Sequence, residues 1–495
     1  MSKFHIRTTP TSSKATAVQV VEYINRKMTL SKHIGSAHNE EQLKKLKIAA
    51  SEWIEKTTKQ ETLFPKELIS LDKQYRYIGF RYGFIYETLK QLCVHLGFHY
   101  LRNDLLLDLV IARMIEPGSK VKSISFLKEF IGIEHHREYF YRQIPELVNL
   151  QKKVESKVLK IAAKEFKFDF SFIFYDVTTL YFESNDSDDL RQCGFSKDNK
   201  FNQPQIVLGL LVSNEGFPIG YQIFEGSKFE GHTLIPVIKK FKKKHKIKTF
   251  NVVADAAMIS IDNVKALRAA KLNYIVGARV ANLPLNSIKL IHAAISGNDG
   301  QTMRLQTDCG DLVCEFSRKR YAKDKREMEK YIDKAEKLLK NPGKIKHVKF
   351  IKQHDQKYTL NTALIEKNNL LLGIKGYYTN LPSSEASDKF IIEHYHNLWR
   401  VEQNFRISKS DLQIRSIYHF RQKMIEVHIL ICFMSLAVCK YIELKTGKSI
   451  QAVLKLFKGI TDARLVDIAS REEITLRSEI NEEVKLIINK VSISA

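Results

Sequence analysis

No CxxC pair occurs among the six cysteines of this chain, so neither a zinc ribbon nor a thioredoxin-type motif is supported. No apolar h-region follows the first residues, MSKFHIRTTPTSSK, so no secretory leader is expected. The longest uncharged apolar stretch, Val427 to Cys439, falls short of the ~20 residues that cross a bilayer. Internal repeats and long low-complexity segments are lacking too. These absences point to a cytoplasmic protein with reduced thiols and no membrane partner. His428, Cys432 and Cys439 do share a helical spacing, but their neighbours are apolar, which reads as core packing rather than a metal site.

Negative charge is also scarce. Fifty-five Asp and Glu stand against 80 Lys and Arg, leaving a net charge of +25 and a pI near 9.5. Such an excess repels itself and calls for a polyanion, although a Lys-rich composition from an AT-rich genome gives the same balance. Hydrophobic residues at 44% and charged ones at 27% are ordinary for globular proteins. At ~150 residues per domain, the length suggests about three domains.

The chain opens with FHIRTTP and TAVQVVEYI, two extended segments separated by Ser/Thr/Lys turn material, which predicts a β-hairpin. From about Asn39 to Lys167 the pattern is helical, with Asn39 and Asn103 as N-caps and a stop at Pro117. This part is rich in Lys and Tyr and suits docking into a DNA groove, although no helix-turn-helix signature stands out. At Asp169 the texture changes. DFSFIFYDVTTLYFE, QPQIVLGLLVS and FPIGYQIFEG read as three strands, the last two joined by an Asn214-Glu215-Gly216 turn. A helix over Thr233–Lys243, the strand TFNVVADA, a helix over Asp262–Ala270 and the strand NYIVGAR follow, giving a mixed α/β layer. Residues 281–375 interrupt it with short strands around a charged helix, and after GYYTNLP helices are expected to the end. The run Lys239–Lys248 reads either as an exposed helix end or as a phosphate-facing ridge.

Three carboxylates carry the chemical interest. Asp176 ends FIFYD and Asp255 ends VVAD. Aspartate is a poor strand former, and a charge closing an apolar strand must be solvated, paired or metal-bound. Either alone reads as a strand-end turn or cap; on neighbouring strands both would face one pocket. Tyr395, Glu402 and Lys409 are seven apart. At ~100° per residue they drift only ~20° per step and form one stripe, either a plain surface stripe or a face toward a metal and a phosphate backbone. Hard oxygen ligands suit Mg²⁺, and two ions ~4 Å apart serve both attacking and leaving oxygens of a phosphodiester.

FYDVTTLYFE, VVADAAMIS and Tyr395-x-x-Leu398-Trp399-Arg400-Val401-Glu402, with Lys409 beyond, resemble the three catalytic motifs of bacterial insertion-sequence DDE transposases. The similarity is to the insertion-sequence-four-like group, which has an RNase H-like catalytic core. GFSKDNKFNQPQIVLGLLVSNEGFPIGYQIFEG, FSRKRYAKDKREMEKYIDKAEKLL, SDLQIRSIYHFRQKMIEVHILICFMSLAV and SKHIGSAHNEEQLKKL look like that group as well, so the resemblance covers most of the chain. It implies that Asp176, Asp255 and Glu402 ligate two Mg²⁺ or Mn²⁺ ions. It makes Tyr395 and Lys409 contacts to the DNA backbone near the cleaved end. The group has an arginine where Leu398 stands; Arg400 and Arg406 are the nearby substitutes, Arg406 sharing the face of Glu402. Trp399 suits either stacking on an unpaired base or the core. Leu372-Gly373 replaces an Asp-Gly of relatives.

The implied organisation is a DNA-binding region over 1–165, an RNase H-like core over 166–280 and 376–415, a mainly β insertion domain over 281–375, and dimerising helices over 416–495. The implied activity is binding of terminal inverted repeats, metal-dependent cleavage of double-stranded DNA and strand transfer by a homodimer. Two rivals are an inactive relative acting as a repressor on element ends and a structure-specific nuclease on the same core.

Overall fold

The computed structural model describes residues 4–12, 15–24, 27–58, 74–183, 186–195, 202–247, 250–258, 260–340, 348–354, 357–415 and 417–491. Three strands, β1 (Phe4–Pro10), β2 (Thr16–Ile24) and β3 (Lys27–Ala37), form an antiparallel sheet. The expected hairpin thus gains a third strand. Its turn includes Ser13 and Lys14, which lie outside the described residues. Helix Glu40–Thr58 covers the sheet through Val18, Val20, Leu46 and Ala50, and Asn39 caps it by accepting from the Gln42 amide at 2.8 Å.

The helical stretch expected from Asn39 to Lys167 is broken by β4 (Tyr75–Arg81). Its aromatic and β-branched side chains suit a strand, and its partner comes from the far end of the chain. Helices Gly83–His95, Asp104–Ile115, Arg137–Val148 and Gln151–Phe166 follow. The Asn103 side chain caps the second by accepting from the Leu106 amide at 2.9 Å.

An eight-stranded sheet forms the centre. The antiparallel meander β5 (Phe172–Tyr181), β6 (Gln205–Ser213) and β7 (Pro218–Glu225) comes first. Gly216 makes the β6–β7 turn with φ +94°, a conformation most side chains resist. Helix Leu234–His245 leads to β8 (Asn251–Ala254), parallel to β5, and helix Ile261–Ala269 leads to β9 (Asn273–Ala278), parallel to β8. The order β7-β6-β5-β8-β9 is that of an RNase H-like sheet.

The segment 281–375, expected to be mainly β, holds more helix than strand. The hairpin β10 (Thr302–Thr307) and β11 (Gly310–Phe316) joins the central sheet through β14 (Ile374–Thr379), which pairs with β9. Between them lie helices Arg318–Leu339 and Thr362–Asn369 and the small hairpin β12 (Ile351–His354) and β13 (Lys357–Leu360). The Lys/Glu composition of 318–339 favours helix over strand.

Helix Gln422–Thr446 is apolar all round and long enough to cross a membrane by length and composition, yet 94% of its most apolar window is buried in the protein. It packs on Asp104–Ile115 and Arg137–Val148, and Ser435 donates to the Val110 carbonyl at 3.1 Å. His428, Cys432 and Cys439 are buried there, as core packing requires. Helices to the end were expected, but β15 (Asp462–Asp467) and β16 (Glu473–Arg477) make a hairpin whose first strand pairs with β4. No local periodicity signals such a short, half-exposed strand.

Candidate active site

Asp176 lies in the middle of β5 rather than at its end, since VTTLY continues the strand against β6. The strand tolerates a carboxylate there because β8 stops beside it. The parallel register ends at Tyr175 opposite Ala254, so Asp176 and Asp255 occupy the next matching positions. Each carboxylate accepts from the following amide, Val177 and Ala256, both at 2.7 Å.

Helix Asp388–His396 crosses the sheet over β8, β9 and β14 and delivers Tyr395. The Tyr395 hydroxyl donates to Asp255 Oδ1 at 3.2 Å. Burial, then the charge and hydrogen bond of Asp255, then the charges of Asp176 and Glu402, raise the phenol well above its ordinary value. It therefore remains a donor at neutral pH, within the field of all three carboxylates.

The helix carrying Glu402 is separate. The stretch expected as one helix breaks at Asn397–Leu398 and restarts as Trp399–Arg406, with i+3 bonds from the Arg400 and Val401 amides to Asn397 and Leu398. A π-turn over Ile407–Asp411 then unwinds it. Overwinding followed by unwinding spoils the single stripe: Tyr395 is buried, Glu402 exposed and Lys409 half-buried. Trp399, Glu402 and Arg406 share the outer face, and Trp399 is 52% exposed, so the core alternative for it fails.

Arg400 lies on the opposite face. Its stem packs on Gly216 and its guanidinium lies 5.8 Å over the Trp399 ring, while Asn404 on the same face donates to the Gly216 carbonyl at 3.0 Å. Burial lowers its pKa, against the charge of Glu215. The Arg400 stem is thus committed to the β6–β7 turn, while its guanidinium reaches back to the exposed Trp399 ring.

Two residues at the site had no sequence signal. The Lys375 ammonium lies 4.8 Å from the Tyr395 ring centre and 5.4 Å from that of Tyr377. Burial, then Arg320, lower its pKa, while Glu315, Asp255 and Glu402 oppose the shift. One lysine among so many is invisible before folding. Gly277 on β9 is the other. A Cβ there would stand 2.5 Å from the Tyr395 hydroxyl and 3.1 Å from Ala256. Gly277→Ala is expected to push the hydroxyl off Asp255 and lower the activity of the site by about 10²-fold, the scale for a misplacement near 1 Å. In a Tyr395→Phe background the same substitution should cost less, since only the contact with Ala256 remains, which a double-mutant cycle on activity would check.

Among the described residues, no group of three or more His, Cys, Asp or Glu stands together as a ready metal cluster. The donor chemistry nonetheless fits hard divalent ions: two carboxylates directly after the last pair of β5 and β8, with a third acting on the same Tyr395 and Lys375. The basic run Lys239–Lys248 divides between its two readings. Lys239, Lys243 and Lys246 are exposed, Lys242 donates to the Ala270 carbonyl at 2.7 Å, Lys244 pairs with Glu155, and Lys248 lies outside the described residues.

Aspartates directly after the paired residues of two neighbouring central strands of an RNase H-like sheet mark the class of enzymes that act on phosphodiesters. Within that class, the chain belongs to the transposase DDE domain family, which it matches over residues 167–438. It is thus a DNA-cleaving and strand-transferring enzyme of a family that works with divalent metal ions. No curated protein matches the sequence. Among solved structures, the piggyBac transposase synaptic complex with hairpin DNA is similar over 76% of this chain and 78% of that one, at 11% identity and a TM-score of 0.39. The Mos1 transposase paired-end complex with left transposon end is similar over 46% of this chain and 66% of that one, at 13% identity and a TM-score of 0.16. A pre-cleavage Mos1 transpososome gives 46% and 67%, at 14% identity and a TM-score of 0.15.

Proposed function

We propose that this chain is the transposase of a bacterial insertion sequence, and that Asp176, Asp255 and Glu402 hold two Mg²⁺ or Mn²⁺ ions at its cutting site. The observation that carries the reading is that Asp176 and Asp255 directly follow the last paired residues of β5 and β8, with Tyr395 bonded to one and acted on by both and by Glu402. Divalent ions bound there supply Lewis acidity to the attacking and leaving oxygens of the phosphodiester. Tyr395 fixes the orientation of Asp255 by its hydrogen bond. Lys375 tempers the repulsion between carboxylates when they are empty. Trp399 and Arg406, on the exposed face of Glu402, meet the DNA, Trp399 by stacking on an unpaired base and Arg406 and Lys409 by phosphate contact.

The enzyme binds the terminal inverted repeats as a homodimer, acts in the cytoplasm on nucleoid DNA, and joins a freed 3′-hydroxyl to target DNA. Its N-terminal region, 1–165, reads the repeat. Nicking of a terminal-repeat duplex with Mg²⁺ or Mn²⁺ tests this. The parent should nick and Glu402→Gln should not; nicking by Glu402→Gln at the parent rate rejects the assignment. End binding by the parent without any cleavage would instead make the chain a repressor.

A further inference from the structure

A cluster of buried cations lies away from the three carboxylates. A cavity of about 460 Å³ opens between the segment around Arg113–Lys122 and the chain over Gln413–His419. Arg113, Lys120, Arg415, His419 and His428 line it, and none of the described lining residues is acidic. Arg113 and Lys120 are each only 3% exposed. Among the described residues the Arg113 Nε has no hydrogen-bond partner, and its Nη1 reaches the Leu412 and Gln413 carbonyls at 3.4 and 3.5 Å. Lys120 Nζ lies 3.3 Å from His428 Nδ1, while His428 Nε2 lies 2.8 Å from the Ile414 carbonyl. One tautomer satisfies both contacts, with Nε2–H donating and Nδ1 accepting. The nearby Glu116 is held by Lys122 at 3.0 Å and Lys458 at 4.0 Å.

Burying a cation without a counter-charge is strongly unfavourable. Burial, then the charge of Arg113, bring Lys120 down to about 7. Burial, then Lys120 and Arg113, bring His419 down to about 4. Donors converge on a polar space to which the described lining residues bring no carboxylate. An arginine fork beside an ammonium matches the oxygens of a phosphate group.

We propose that this cavity is a phosphate-binding site, its occupant held by Arg113 and Lys120 with Arg415 at the mouth. A backbone phosphate of bound DNA and free phosphate share this chemistry. Position favours the DNA. The Arg415 guanidinium lies 5.4 Å over the ring of Tyr181, the last residue of β5, and Tyr418 at the rim is 65% exposed. Asp176 lies five residues back along the strand, roughly 16 Å at ~3.3 Å per residue. That is about five nucleotides of rise along one strand. A duplex cut at the carboxylates would therefore be held a short way from the break. The DNA source rests on the proposed function, whereas the site itself does not.

The test uses the full chain in EDTA, so that cleavage plays no part. Inorganic phosphate should raise the melting temperature of the parent above that in chloride of equal ionic strength. Lys120→Met, an apolar substitute of similar length, should abolish that rise. In DNA binding, the slope of log K against log salt should become shallower by about 0.9 in Lys120→Met, the loss of one phosphate contact. Arg415→Gln at the mouth should do the same in part, and serves if Lys120→Met fails to fold. A phosphate response with an unchanged DNA slope supports the site and assigns it to free phosphate. No phosphate response together with unchanged slopes in folded variants overturns the proposal.

Discussion

Asp176→Asn is expected to lower metal-dependent nicking of a terminal-repeat duplex on the order of 10³-fold, with Asp255→Asn equal to it. Asparagine keeps the shape of the side chain and its acceptor for the Val177 amide, so the strand and its register should survive. What disappears is one unit of negative charge beside the paired end of β8, where Asp255 follows. DNA binding in EDTA should hold or tighten, because a charge that repels the phosphate backbone has gone. The rise in melting temperature that Mg²⁺ gives the parent should shrink or vanish in the variant, since a ligand stabilises only the state it binds. Single-turnover nicking by Asp176→Asn within tenfold of the parent would remove these residues from the chemistry.

Lys244→Met is expected to destabilise the fold by about 3–5 kcal/mol, the scale for stripping one partner from a buried ion pair. Glu155, on helix Gln151–Phe166, is 3% exposed and bonded by Lys244 from helix Leu234–His245 and by the Gln151 amide group at 3.0 Å. His245 stands 3.9 Å away, an electrostatic neighbour rather than a hydrogen-bond donor. Burial pushes the Glu155 carboxyl up, but His245, Lys244 and Gln151 together hold it below its ordinary value. A depressed carboxylate contributes stability that is present above the unfolded value near 4.5 and lost as pH falls through the folded one. In Lys244→Met the burial effect should dominate, so that stability rises as pH falls toward the unfolded value. Urea unfolding at neutral and mildly acidic pH would show the two slopes. Adding Glu155→Leu should recover part of the loss, because no buried charge is then left alone.

The central strands were legible because their residues leave little choice. FIFYDVTTLY, QIVLGLLVS and NVVA are β-branched and apolar, and local preference and burial agree in them. Asn39 and Asn103 were legible as caps for the same local reason. The third carboxylate was harder. Its place on a helix could be read, but the break at Asn397 and the π-turn after Arg406 could not, because both answer to packing on the sheet beneath. Arg400 illustrates the loss: two positions from Glu402, it faces the other way, toward Gly216. Strands β4, β15 and β16 were missed because each is short and half-exposed, and pairing joins segments several hundred residues apart.

The amino-acid order by itself determined the kind of chemistry: two aspartates closing apolar runs, a glutamate behind a tyrosine, and an excess of positive charge suited to a polyanion. These are local properties, carried by side-chain type and spacing. Only the tertiary structure decided that Asp176 and Asp255 follow the paired ends of neighbouring strands, that Gly277 leaves room for the Tyr395 hydroxyl, and that Arg113 and Lys120 are buried in a cavity whose described lining residues include no carboxylate. Each of these depends on which strands and helices become neighbours, and that is set by the joint burial of side chains far apart in the chain, which no single segment encodes.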